Sequence, residues 1–477
     1  MSTNRRDSRI EHAMSGTDKK RTLVRITKPF ETTCFISFAA PYGLDERVTL
    51  PEGLVLNLIE HEAQEEPYRF EASPVESKLW APFLISDKHR FDKNFRYSYN
   101  FYFKQLEVEQ NCEAIDQIPQ EIPAPLKLYY AFQGCMFGTA VGDAIGLPYE
   151  GISSRRIQKL NPFPLRHRFL FGRGMLSDDT EHTCMVAHAL IFSNEDTNRF
   201  SDELAWSLRW WLLGLPAGIG MATLKSCIKL WSFKPVNKRK GVFSAGNGPA
   251  MRSALIGVYA HDDKALRTTL VELNTRITHT DPKAIKGAMI VAEMAARNTQ
   301  GEPLTPENCL SGLDEIISDD EELRVLVKNA IESAKQNQTA QTFCQDNHQA
   351  KGVGGYIYHT LPVVMQIVLR HNNDYEQAIT EAIACGGDTD TVAAIIGGIV
   401  GANVGKAGIP EDWLINLKDW PRDKNYLDLL VDELASVKWK KESGQTWWMD
   451  PIRLWLRNAF FMLWVLAHGF RRLLPPY

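Results

Sequence analysis

The sequence predicts a mainly α protein, an all-α bundle preceded by a β-rich domain, and three observations carry that reading. Short apolar runs and one strict alternation fill residues 22 to 110. Apolar residues at helical spacing then run from about Leu126 to Leu434, with no repeated strand–helix alternation. The proline-rich stretch "IPQEIPAP" separates the two. The expected layout is a disordered tail over 1–21, a β-rich accessory domain over 22–117 and a Pro-rich linker over 118–125. A helical domain over 126–434 and an apolar helical tail over 435–477 complete it.

The opening residues, "MSTNRRDSRIEHAMSGTDKKR", are polar and lack the apolar centre of a signal peptide, so they are expected to fray. "TLVRIT", "CFISFAA" and "GLVLNLI" are apolar runs cut by turn-formers and read as strands. In "FRYSYNFYFK", Phe95, Tyr97, Tyr99, Phe101 and Phe103 alternate with Arg96, Ser98, Asn100, Tyr102 and Lys104. That period marks a strand with one packed face, and the aromatic stripe reads as core rather than as a ligand platform. The prolines then stop regular structure, because each fixes φ and removes an N–H donor. Beyond them "DELAWSLRWWLLGL", "DPKAIKGAMIVAEMAARN", "EELRVLVKNAIESAKQ" and "TLPVVMQIVLRH" carry the helical period.

Length and composition bound the function. At 477 residues the chain has room for two or three domains, and 44% hydrophobic against 23% charged residues marks it as globular. A net charge of -4 gives no electrostatic reason to expect nucleic acid. The eight cysteines are scattered without metal-ligand spacing, which fits reduced thiols and a cytoplasmic location. No apolar run approaches the ~18 residues that a membrane span needs.

Two acidic clusters stand at the starts of apolar helices. In "LSDDTEHT", Asp178 and Asp179 lie between the hydroxyls of Ser177 and Thr180. Capping explains such a cluster by itself, since Ser or Asp accepts orphan N–H bonds and Asp178 with Glu181 has capping-box spacing. A second cluster, Asp388, Thr389, Asp390 and Thr391, follows a Gly-Gly turn in "CGGDTDTVAAIIGGIVGANVG". If the two converge, each close carboxylate pair repels by about 4 kcal/mol at an effective dielectric near 20. Two divalent cations would cancel that charge, and an all-oxygen donor set suits a hard ion such as Mg²⁺.

Other stretches are individually weak. "GCMFGTAVGDAIGLPYEG" spaces Gly134, Gly138, Gly142 and Gly146 four residues apart, a helix face that lets another backbone approach closely. Pro148 ends that helix and leaves Glu150 in the loop beyond. "FSAGNGPAMRSALIG" puts a small-residue turn, Ser244 to Gly248, before an amphipathic helix; its backbone N–H groups suit phosphate or an ordinary cap. His279 in "THTDP" reads as ligand, base or satisfied core histidine. "GVGGYIYHTLP" sets a glycine turn and Tyr356 at a helix start.

In chain order, "GDAIGLPYEG", "SDDTEHT", "GNGPAMR", "HTDP", "GGYIYHTLP" and "GGDTDTVAAIIGGIVGA" resemble the ADP-ribosylglycohydrolase family, which includes the dinitrogenase reductase-activating glycohydrolases. The resemblance spans about residues 130 to 420. It implies an all-α bundle around two magnesium ions that cleaves the glycosidic bond between ADP-ribose and a modified side chain. It also implies metal ligation by Ser177, Asp178, Asp179, Asp388, Asp390 and Thr391, with Glu150 as the acidic residue near the scissile bond. Ser244, Gly246, Asn247 and Gly248 fall on the turn that holds diphosphate and ribose, His279 on a ligand-contacting histidine and Tyr356 near the adenosine end. Ser177 stands where threonine is common, and "MRSALIG" lacks a proline often seen after the arginine; neither change removes a ligand.

The implied partner is an ADP-ribosylated protein or other ADP-ribosylated acceptor. A binding reading stands beside it, an ADP-ribose-binding sensor, or an immunity protein or antitoxin that blocks a partner ADP-ribosyltransferase through its accessory domain. In the tail, "IRLWLRNAFFMLWVLAHGFRRLL" centres on "AFFMLWVLA", flanked by Arg453, Arg457, Arg471 and Arg472, with Trp447, Trp448, Trp455 and Trp464 adding bulk. Docking on an apolar surface is the expectation, and peripheral contact with a membrane interface is the alternative.

Overall fold

The computed structural model describes residues 21–26, 30–37, 43–50, 54–60, 70–74, 98–103, 112–115, 124–232, 241–302, 304–444 and 449–471. The chain divides into two compact units, 1–126 and 127–477.

The first unit is an antiparallel sheet of seven strands: β1 (Arg21–Ile26), β2 (Phe30–Ser37), β3 (Gly43–Leu50), β4 (Val55–Glu60), β5 (Phe70–Pro74), β6 (Ser98–Phe103) and β7 (Cys112–Ile115). Their order across the sheet is β3-β2-β6-β5-β4-β1-β7. Val24 and Ile26 are buried while Arg25 between them is exposed, the alternation that a sheet with one covered face requires. The apolar runs expected as strands appear as β1, β2 and β4. β3 ("GLDERVTL") and β5 carry too few apolar residues to signal themselves and the four-residue β7 is too short to do so; pairing supplies the rest, as in the Phe30–Leu50 to Ser37–Gly43 register of β2 with β3. Of the aromatic alternation only Ser98–Phe103 is described; Phe95 and Tyr97 lie outside the described residues, as do residues 1–20 and 116–123. Arg21, placed in the tail by sequence, opens β1. Ala124 and Pro125, placed in the linker, open the first helix, where a proline's missing N–H leaves no bond unmade.

The second unit is helical. Its centre is a crossing of the first helix, Ala124–Gly146, with Thr389–Val404. A Cβ built on Gly134 would lie 1.8 Å from Gly401 O, on Gly138 2.1 Å from Gly397 O, on Gly142 2.2 Å from Ala393 O, and on Gly146 2.5 Å from the Asp390 Cα. The four-residue glycine spacing is therefore a backbone-to-backbone contact, and only the absence of side chains permits it. Thr389 Oγ1 closes the end of the crossing by donating to Gly146 O at 2.9 Å, and Tyr375 Oη donates to Gly138 O at 2.6 Å. The expected helices are present as Thr197–Leu213, Pro282–Gln300, Glu321–Lys335 and Ile357–His371.

The division expected between the helical domain and the tail does not hold. The helix Lys424–Lys440 runs through the division expected at residue 434, and the tail helix Pro451–Arg471 belongs to the same compact unit. Its Phe461 packs among Leu147, Phe169, Met175 and Ala217, so the tail docks on the helical unit. Ile452, Leu463 and Phe470 on the opposite face are 70%, 68% and 68% exposed. Trp447, Trp448 and Arg472 lie outside the described residues. Among the described residues no helix is long and apolar enough to cross a membrane.

The crossing makes a quantitative demand. Gly138→Ala forces a methyl group against Gly397 O, and overpacking of this kind is expected to cost about 3 kcal/mol. Gly220→Ala, where the nearest atom is 4.0 Å away, should cost about 0.5 kcal/mol or less. Denaturant midpoints of the two variants measure the difference, and equal midpoints would refute the close contact.

Candidate active site

The segment "LSDDTEHT" turns into its helix at Ser177, which is the N-cap. Its Oγ accepts from Asp179 N at 3.3 Å and donates to Asp179 Oδ2 at 3.1 Å. The capping box read from Asp178 and Glu181 does not close. Asp178 is already the first helical residue, and Glu181 instead accepts from Trp211 Nε1 and Arg422 Nη1, each at 2.5 Å. The acid at the head of the second cluster is likewise not spent on capping. Asp388 caps nothing with its side chain, and its Oδ2 accepts from Asn247 Nδ2 at 2.7 Å. Gly386 and Gly387 precede it at φ 70 and 86, and a Cβ on Gly387 would sit 2.1 Å from Val353 O. Left-handed backbone and close approach both demand glycine there.

The two clusters meet. Thr391 Oγ1 donates to Asp179 Oδ2 at 3.3 Å. Burial, then the charges of Asp178, Asp143 and Asp388, holds the Asp179 carboxyl well above the usual carboxylate range. Asp390 is raised by burial and by Glu150, Asp388 and Asp179; Asp178 by burial, Asp143, Glu181 and Glu150. Glu150 itself is exposed at the end of the short turn Leu147–Tyr149, and its charge acts on Asp178 and Asp390 from the edge of this cluster.

Sequence reasoning missed Asp143. It lies fully buried beside Gly142, and its Oδ2 accepts from Ser177 N at 2.9 Å, Thr180 N at 3.3 Å and Thr180 Oγ1 at 2.5 Å. Burial pushes its carboxyl up to about 6 against the pull of those bonds. The signal was present: it is the one charged residue between Phe132 and Tyr149, on an otherwise small and apolar helix.

Among the described residues, Asp143 Oδ1, Asp179 Oδ1 and Asp390 Oδ1 are buried without a hydrogen-bond partner. Orphaned anionic oxygens are costly, and a hard cation satisfies several at once. Ser177 and Thr391 add hydroxyl donors of the same kind. The described residues hold no finished cluster of three His, Cys, Asp or Glu side chains, so the fit rests on donor chemistry and on these partnerless oxygens.

The Gly246–Gly248 turn adjoins the cluster through Asn247. It is held by Asn247 N donating to Gly355 O and Ile357 N to Ala245 O, both at 2.9 Å, and by a bridge between Gly246 and Tyr356. His279 fills the space behind it. A Cβ on Gly246 would be 2.9 Å from His279 Nε2, and one on Gly248 3.3 Å from Cε1. Burial, with Arg252 nearby, takes His279 down to about 3, so the imidazole is neutral. Tyr356 Oη accepts from Lys283 Nζ at 2.9 Å, and Ser244 is half-buried at the start of the turn beside the exposed Phe243. The helix that follows, Ala254–Tyr259, is buried on every side rather than amphipathic as expected, because it sits inside the bundle. The structure thus brings the expected residues into one neighbourhood, with Ser244 and Tyr356 at its edge.

The sequence model of the ADP-ribosylglycohydrolase family matches residues 125–443. The chain belongs to the ADP-ribosylglycohydrolase family. The resemblance read from the ordered motifs stands, and so does the all-α fold that it implied. An uncharacterized protein of Archaeoglobus fulgidus is 31% identical over 321 residues, 64% of this chain and 96% of that protein. ADP-ribosylhydrolase ARH3 of Gallus gallus is 26% identical, covering 59% of this chain and 87% of its own. ADP-ribosylarginine hydrolase Tri1 of Serratia proteamaculans is 25% identical, covering 68% and 85%. A solved structure of an ADP-ribosylglycohydrolase-related protein complex aligns with 66% of this chain and 99% of its own, at 24% identity and a TM-score of 0.48. The family match leaves the sheet unit and the tail helix outside it.

A raised carboxyl has a pH signature. In chelator-treated protein, Asp143 stabilises the fold fully below its ordinary value of 3.8 and loses that contribution as pH rises through about 6, because the folded state then binds the extra proton. Relative to Asp143→Asn, the parent is expected to lose stability across that window. Thermal melts of both proteins at stepped pH check it, and a parent-to-variant difference that stays flat or grows with pH would refute the raised carboxyl.

Proposed function

We propose that this protein is a magnesium-assisted ADP-ribosyl hydrolase that removes ADP-ribose from an ADP-ribosylated protein or other acceptor. One observation carries the reading: the Thr391–Asp179 and Asn247–Asp388 bonds join two acidic clusters and a glycine turn in one site. ADP-ribose asks for that combination. Its diphosphate needs backbone donors, and the turn from Ser244 through Gly248 offers those of Gly246 and Gly248, while the Asn247 N–H is given to Gly355 O and holds the turn in shape. Its distal ribose presents a cis-diol to hard cations.

Ser177, Asp178, Asp179, Asp388, Asp390 and Thr391 would hold two Mg²⁺ ions. When bound there, the cations would supply Lewis acidity toward the ribose hydroxyls and an attacking water. Neutral His279 shapes the floor of the turn, and Tyr356 borders the adenosine end. Glu150, exposed on the rim, stands where an acceptor side chain would arrive. In hydrolysis a water adds to the anomeric carbon, the glycosidic electrons pass to the acceptor atom, and that atom takes a proton. Glu150 is assigned the proton transfer or the placement of the leaving side chain. The relatives' names point to ADP-ribosylarginine among acceptors, and a panel of ADP-ribosylated substrates identifies the acceptor used here.

Two measurements test the assignment. Asp179→Ala or Asp388→Ala is expected to abolish turnover and weaken Mg²⁺ binding with the helical circular dichroism retained; full activity in excess EDTA after dialysis would sink the two-cation reading. Glu150→Gln keeps size and hydrogen-bonding ability but loses charge and proton transfer. It is expected to lower kcat by about 10²-fold or more while ADP-ribose affinity changes little. A drop in affinity with kcat intact would move Glu150 to recognition.

A further inference from the structure

The tail helix Pro451–Arg471 begins beyond residue 443, where the family match ends, yet its buried side chains reach the two loops that carry the acidic site. Arg457 is 2% exposed. Its Nε donates to Asp419 Oδ1 at 2.9 Å and its Nη2 to Asp419 Oδ2. Nη2 also donates to Leu176 O at 2.5 Å, and Nη1 to Glu181 Oε1 at 3.2 Å. Asp419 Oδ2 in turn accepts from Leu176 N at 2.9 Å. Arg457 and Asp419 together grip the N–H and the C=O of Leu176, the residue immediately before Ser177. Glu181, held also by Arg422 and Trp211, anchors the same segment one turn further on.

The second loop is held by the same helix. The Arg457 guanidinium lies 4.4 Å from the Phe461 ring centroid, and Phe461 packs against Leu147 at the start of the turn that leads to Glu150. His468 Nε2 donates to Pro148 O at 3.1 Å in that turn.

A buried ion pair is a poor route to stability, since apolar residues of similar volume often serve as well. Its value is orientation. A guanidinium fork bound to one carboxylate by two bonds has a single geometry, and lysine cannot reproduce it. The Ser177–Asp179 segment needs such a hold, because it carries Asp179, whose buried Oδ1, like that of Asp143 beside it, has no partner to fix it.

We infer that Arg457 is a positioning residue that fixes the Ser177–Asp179 helix start for cation and ribose, and that the tail helix is therefore part of the catalytic unit. The cation and ribose roles rest on the function proposed above; the hold on the loop does not, and the test separates them. Full-length Arg457→Lys and Asp419→Asn are compared with the parent by hydrogen exchange in metal-free buffer. Exchange is expected to rise about tenfold or more in the segment around Leu176 to Glu181, with the segment around Asp388 to Thr391 unchanged. In activity assays the half-saturating Mg²⁺ should rise about tenfold or more, with kcat recovering at high Mg²⁺. A merely structural defect would reduce the active fraction without moving that midpoint. Unchanged exchange in both folded variants overturns the inference whatever the activity. Raised exchange in the variants of a parent protein that itself releases no ADP-ribose leaves the hold intact and overturns the function proposed above instead.

Discussion

The contact on which the helical unit depends is the crossing of two backbones without side chains between them. Gly134, Gly138, Gly142 and Gly146 on one helix meet Gly401, Gly397, Ala393 and Asp390 on the other. Because the approach is so close, Asp143 on the first helix and Asp388 and Asp390 at the start of the second come within range of one another. A crossing at the ordinary 8–10 Å between axes would leave room for side chains and pull these carboxylates apart. The site's charge density is thus a product of packing, and the packing is a product of residues with nothing to pack.

Around that crossing the structure separates two chemistries by burial. The acid side keeps oxygens without partners and carboxyls pushed above their usual range. The turn side has a neutral histidine and backbone donors, with Asn247 spanning the two by bonding Thr360 Oγ1 at 3.0 Å and Asp388 at once. Buried arginines support both sides: Arg252 bonds the neutral Asn274, His182 and Thr278, while Arg457 and Arg422 share the charged Glu181. These arginines touch neither the glycine turn nor the partnerless acid oxygens, and they fix the segments that carry both.

Much of this was legible in the sequence, for physical reasons that differ by region. Helices with a strong period announced themselves, and so did the glycine spacing, because a four-residue repeat can only be a face. The acidic clusters were legible as residues but not as a site, since spacing says nothing about convergence over two hundred positions. Asp143 carried a signal, a lone acid in an apolar stretch, but one acid without a neighbouring acid does not mark a site. Arg457 was hidden the other way round: flanking arginines on an apolar helix suggest a solvent or membrane edge, whereas this one is turned inward by Asp419 and Glu181. β3, with its Asp-Glu-Arg centre, owes its strand to pairing that no local pattern encodes.

The glycine crossing also sets where the gene can change length. An α-helix advances by about 100° per residue, so one residue inserted between Gly134 and Gly142 would turn Asp143 away from Thr180 and Ser177 and carry the later glycines off the contact. The same insertion at the junction after Gly301, a left-handed cap at φ 80 with open space around it, leaves both the crossing and the acid cluster in register. Length variation in this architecture therefore belongs to the outer connections, while the first helix and its partner are fixed to the residue.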